Sequence, residues 1–135
     1  MTDESRRANV AIEVARADRA MPSARILLES GEPADAVSRA YYAALHCARA
    51  LLLTEGTEPQ THRGVLRLLS RDFVPTGRLS ADAAAALSKL EKQRLEADYS
   101  AELVFTDAEA AREVEEASAF IDAATTVLRS GGWLD

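Results

Sequence analysis

The chain is poor in the groups that staple or metallate a small protein. Its one cysteine, Cys47, cannot close an intrachain disulfide, and two histidines are too few for a zinc centre of thiolates and imidazoles. No metal and no cofactor is expected. Long apolar runs are missing as well. Asp3, Glu4, Arg6, Arg7, Glu13, Arg16, Asp18 and Arg19 punctuate the first twenty residues, so no signal core is present, and no uncharged stretch approaches the ~20 residues that cross a bilayer. These absences predict a soluble, reducing, cytoplasmic protein without a membrane partner. Positive charge is not in excess either: a net charge of −6 excludes nucleic-acid binding by bulk charge and leaves only a local basic patch for that role. Strand-type alternation is absent throughout.

What remains is a globular balance of 47% hydrophobic and 28% charged residues over 135 positions, which fits one domain, 1–135, with a core over about 10–128 and a tail at 130–135. Glycine and proline breaks divide it into segments of helical period. Val10, Val14, Ala17, Met21, Ala24 and Leu28 form one amphipathic stripe, which Pro22 is expected to kink or split before the helix ends ahead of Gly31. Pro33 suits the first turn of a second helix running to about Glu55, with Gly56 placed to stop it. A third begins near Thr61, turns Val65, Leu66, Leu69 and Phe73 to the core, and closes at Pro75 and Gly77. Ser80 is a good N-cap for a fourth, reaching about Tyr99, and Thr106 with Glu109 forms a capping box for a fifth, whose Ala110, Val114, Ala117, Ile121, Ala124 and Leu128 repeat the first stripe. Short loops between long seams predict an all-α, up-and-down antiparallel four-helix bundle with an additional short helix. The tail is expected to fray unless Trp133 docks.

Certain polar residues fall where apolar ones belong. The second helix is apolar almost all round and should be central, yet Arg39, Tyr42 and His46 share one of its faces at i, i+3 and i+7, bordered by the small Ala43 and Ala50. Small neighbours leave room for an approaching group. The spacing fits either a satisfied structural network or a site for an anion, since arginine offers a planar fork of donors and histidine titrates near neutral pH. In the fourth helix Arg94 sits within the apolar face of Ala83, Leu87, Leu90 and Ala97, with Asp98 one turn on. It is either paired internally or turned to a groove or interface. Arg63, Arg67 and Arg71, extended by Arg78, make a basic stripe that is either a solvated face or an RNA-steering patch. His62 is expected as a neutral capping or packing group beside the helix dipole, and Cys47 as a core residue.

Taken together, Ala36-Val37-Ser38-Arg39-Ala40-Tyr41-Tyr42-Ala43-Ala44-Leu45-His46, Thr61-His62-Arg63-Gly64-Val65, Phe73-Val74-Pro75-Thr76-Gly77-Arg78-Leu79 and Arg94-Leu95-Glu96-Ala97-Asp98-Tyr99 resemble the HEPN family, in particular its prokaryotic stand-alone branch. The resemblance implies a four- or five-helix bundle, often a homodimer, commonly encoded beside a minimal nucleotidyltransferase as a toxin–antitoxin-like pair. Some members are metal-independent ribonucleases with a motif of arginine, four to six residues, then histidine. Counting from Arg94, the histidine positions hold Tyr99, Ser100 and Ala101, so the imidazole is missing there. Arg39 and His46 do satisfy the spacing, but in the middle of the second helix. In related toxins a tyrosine close after the histidine accepts AMP from the partner transferase, and Tyr99 resembles that acceptor approximately.

Three functions follow as expectations. One is a binding module for a nucleotide, RNA or a nucleotidyltransferase partner, with Arg39, Tyr42, His46, Arg94, Asp98 and Tyr99 as a polar groove. Another is an RNA-cleaving toxin with His46 as base and Arg39 and Arg94 stabilising the phosphorane charge. The third is a purely structural bundle.

Overall fold

A computed structural model describes residues 2–99 and 105–135. Five helices run in chain order: α1 (Asp3–Glu29), α2 (Pro33–Thr54), α3 (His62–Asp72), α4 (Ala81–Tyr99) and α5 (Asp107–Ser130), and no strand occurs among the described residues. Four long helices form the bundle, and α3 is the short insert. Ser100 and Ala101, two of the three positions where the resemblance places a histidine, lie outside the described residues.

The helix ends follow the local chemistry. Thr2 accepts from the Ser5 amide, Thr61 from Gly64 at 2.9 Å and Ser80 from Ala83 at 3.0 Å, each satisfying an orphan N–H of a first turn. Thr106 and Glu109 close the reciprocal box at 3.0 Å in both directions. Pro33 occupies the first turn of α2, where its missing donor costs nothing, and Gly56 ends that helix at φ +74°, a left-handed value an L side chain resists.

α1 does not split at Pro22 as its sequence suggests: the helix continues from Asp3 to Glu29. The proline forfeits one backbone bond, but Ala17, Ala20 and Ala24 bury against α2 on both sides of it, and α1 with α2 is the most extensive helix pair. Packing on a central helix outweighs one missing donor. The tail does not fray either. Trp133 donates its amide to the Leu128 carbonyl at 2.8 Å, packs against the core and receives the Arg7 guanidinium over its ring at 5.1 Å, while Arg7 also bonds the Gly132 carbonyl.

α2 is central because it is apolar on nearly every side: Tyr41, Ala44, Leu45, Cys47, Ala48, Leu51 and Leu52 are all buried, and α1, α3, α4 and α5 all pack on it. Ala43 and Ala50 are buried too, so the space expected beside them is filled by core packing. The openings next to the polar face of α2 lie instead along α1. No described helix is long and apolar enough to cross a membrane.

Candidate functional site

Two polar constellations meet at one side chain, Tyr42. The first surrounds Arg94, which α4 carries into the bundle in line with Ala84, Leu87 and Leu90 and leaves only 6% exposed. A charge at that depth requires partners. Its Nη1 donates to Asp98 Oδ2 at 3.1 Å, one turn along the same helix, and its Nη2 lies 3.3 Å from His62 Nδ1 at the start of α3. The guanidinium sits over the rings of Tyr41 and Tyr42, at 5.3 and 5.6 Å from their centroids. Both rings also pack edgewise or tilted on His62, at 5.8 and 6.2 Å. Cation–π contact and two hydrogen bonds hold a single buried cation. Arg94 Nε and the Tyr41 hydroxyl remain buried without a partner, and burial, then nearby Glu91, pushes the Tyr41 phenol above its ordinary range.

His62 was expected to be neutral on account of the helix dipole. The structure gives a different cause for the same direction: burial, then Arg94 and Arg49, lowers its affinity for a proton below the ordinary histidine value. An always-charged guanidinium can only donate, so the ring nitrogen facing Arg94 is the acceptor and the proton of the neutral ring resides on Nε2.

The second constellation is a cleft between α1 and α2 of about 380 Å³, lined by Arg16, Arg19, Ser23, Arg39, Tyr42 and His46. The shared face of Arg39, Tyr42 and His46 thus does line one hollow. The sequence reading missed its opposite wall, which α1 supplies. Glu13, half-buried, holds both sides together: Oε1 accepts from Arg16 Nη1 at 3.2 Å and Oε2 lies 2.7 Å from His46 Nδ1. A carboxylate fixes the donor on Nδ1 and leaves Nε2 as the free nitrogen of His46. Glu13, Arg16 and Arg19 carried a readable signal, a row of polar residues flanking the α1 stripe close to Val14 and Ala17, which pairs with the polar face of α2 once the two helices are packed.

Arg94 and Asp98 do not line this cleft, so the expected groove is two sites sharing Tyr42. Tyr99 stands apart at 78% exposed, at the end of α4. The basic stripe is half neutralised: Arg71 bonds Asp72 at 2.7 and 3.0 Å, and Arg78 bonds Glu55 at 2.6 Å and the Asp72 carbonyl at 2.9 Å over the Phe73 ring, while Arg63 and Arg67 are exposed. Cys47 is buried beside Asp18 and Glu13, and burial first, then those charges, pushes its thiol up to about 12. A thiol so held is packing material, not a nucleophile.

Comparison with known proteins agrees with this architecture. The chain is 37% identical over 82% of its length to the protein named "Putative toxin MJ0605" of Methanocaldococcus jannaschii, covering 81% of that protein. It is 31% identical over 80% of its length to a UPF0332 protein of Thermotoga maritima, covering 82% of it, and 31% identical over 72% to "Putative toxin MJ0142" of M. jannaschii, covering 66%. The family model described as HEPN domain matches residues 12–129, from the helix that carries Glu13 to the last turn of α5. The chain belongs to the HEPN family.

Proposed function

We propose that this chain is the toxin-like member of a two-component pair and works by binding, pairing with a minimal nucleotidyltransferase and engaging nucleotide or RNA phosphate without cleaving it through α4. The observation that carries the reading is the state of Arg94. Its two Nη groups are committed to Asp98 and His62, and the imidazole it touches is neutral with its Nδ1 lone pair turned to the guanidinium. A base must present a free lone pair to the proton it removes, and His62 presents an N–H instead. Tyr99, where the family motif allows a histidine, is solvent-exposed and has an accessible hydroxyl. That exposure suits an AMP acceptor: the tyrosine oxygen attacks the α-phosphorus of ATP, a phosphodiester forms, and pyrophosphate leaves with the phenolic proton passing to the transferase. The names of two relatives, each given as "Putative toxin", support the toxin-like assignment. A homodimer placing two copies of α4 side by side is part of the same proposal.

The test is co-expression with a minimal nucleotidyltransferase from the same genome. A stable complex is expected, lost in Arg94→Met while helicity is retained, with AMP incorporated at Tyr99 and absent from Tyr99→Phe. No complex, or a complex indifferent to Arg94, contradicts it.

A second reading is favoured by one observation, the 2.7 Å contact of Glu13 with His46. It leaves Nε2 without a protein partner in a cleft that also holds Arg39, the arrangement a metal-independent ribonuclease would use, with Arg63 and Arg67 steering RNA. RNA cleavage in EDTA, abolished by both Arg39→Ala and His46→Ala, would establish it.

A further inference from the structure

The α1 wall of the cleft belongs to neither the Arg94 cluster nor the family motif. Arg16 and Arg19 stand across from Arg39, with Ser23 beside them and Tyr42 and His46 completing the lining. Arg16 shares Glu13 with His46, whereas among the described residues no carboxylate comes within 4.0 Å of Arg19 or Arg39. Three guanidinium groups against one carboxylate leave two positive charges unbalanced at a solvent-open hollow. Like charges gathered in one place oppose folding unless an anion joins them.

We propose that this cleft binds a phosphomonoester. Near neutral pH such a group carries close to two negative charges and three terminal oxygens, which match the unbalanced charge and the planar donor forks of Arg19 and Arg39. Ser23 and His46 line the same hollow, so a phosphate held by the arginines lies beside the His46 ring. A phosphodiester carries one charge and has two of its oxygens esterified, so it satisfies fewer of these donors. The surroundings also disfavour a polyanion: a neighbouring hollow that shares Arg39 and Tyr42 is lined by the Asp35 carboxylate, which opposes a second phosphate extending that way. A volume of about 380 Å³ admits the phosphate with a compact substituent. The inference is independent of the role given to Arg94.

Titration of the full chain with inorganic phosphate, 5′-AMP and 3′,5′-cyclic AMP tests it, read by calorimetry and by the ring nitrogen resonances of His46. Saturable binding of phosphate and 5′-AMP at or below about 1 mM is expected, with a shift at His46 and with cyclic AMP at least about tenfold weaker. Equal affinity for phosphate and 5′-AMP identifies the free anion as the ligand, and tighter 5′-AMP identifies an organic ester. Arg19→Ala and Arg39→Ala, both at exposed positions, should each weaken 5′-AMP about tenfold. Arg25→Ala, which removes an equal charge from α1 at a residue paired with Glu115, should leave it unchanged. Failure of both phosphate and 5′-AMP to saturate, cyclic AMP or an RNA oligonucleotide binding as tightly as 5′-AMP, or indifference to Arg19 and Arg39 overturns the proposal.

Discussion

At the scale of single residues, the chemistry turns on which imidazole is free. His62 faces a guanidinium and turns its N–H outward from Nε2, whereas His46 is held at Nδ1 by the Glu13 carboxylate and turns Nε2 to the cleft. Following the His62 ring by NMR should give a midpoint below the ordinary value of about 6.5. In Arg94→Met the midpoint should move upward part of the way, because burial, the larger cause, remains. The sign for stability follows: the unfolded chain binds this proton more readily than the folded one, so His62 withdraws stability as pH falls below about 6.5. A midpoint at or above 6.5, unmoved by Arg94→Met, contradicts the neutral assignment. Glu113 gives the opposite dependence. Burial, then Glu116, holds its carboxyl above the ordinary range, with Lys89 at 3.7 Å only partly offsetting them, and its Oε2 is buried without a partner. A raised folded value means stability is greatest while the group stays protonated and declines as pH rises through that value. Glu113→Gln should therefore melt a few degrees above the parent at pH 8 and lose that advantage near pH 4, measured by circular dichroism.

At the scale of helices, the structure follows signals confined to a few neighbouring residues. The caps at Thr61, Ser80 and Thr106 and the stripes of α1 and α5 were readable because each rests on spacing within one helix. Two features of the ends and breaks were not. Pro22 reads as a break because a helix considered alone loses a bond there, and only the alanine surface buried against α2 reverses the balance. Trp133 is held by Arg7, at the other end of the chain. The site divides in the same way. Arg39, Tyr42 and His46 lie on one helical face and were legible, as was the pair of Arg94 with Asp98. Contacts of Arg94 with His62 and of Glu13 with His46 join different helices, and nothing in local spacing announces them. Two stability measurements belong to this scale. Thr106→Ala removes the box that starts α5 and should cost about 1 kcal/mol, lowering the melting temperature by roughly 4 °C. Pro22→Ala restores a donor at an exposed position within α1 and should raise stability by about 1 kcal/mol or more. A drop in melting temperature on that change would mean the ring contributes packing that the helix needs.

At the scale of the whole molecule, charge is sorted rather than merely negative. Arg16, Arg19 and Arg39 gather at the α1–α2 cleft, and Arg63 and Arg67 lie exposed on α3. Glu109, Glu113, Glu115 and Glu116 load α5, which packs on both α2 and α1. A net charge of −6 thus coexists with local positive surfaces, which is how an acidic chain can take an anion at one place and repel polyanions elsewhere. Tyr42 is the wall common to both polar constellations: its ring touches Arg94 and His62 and also lines the cleft. The proposed role of this HEPN bundle is to bind phosphate-bearing partners without cutting RNA. Incubating the purified protein with a single-stranded RNA in EDTA and resolving the products is the most direct measurement. Intact RNA with no cyclic phosphate end is the predicted result; cleavage lost in both Arg39→Ala and His46→Ala, with each variant still folded, is the one that contradicts it.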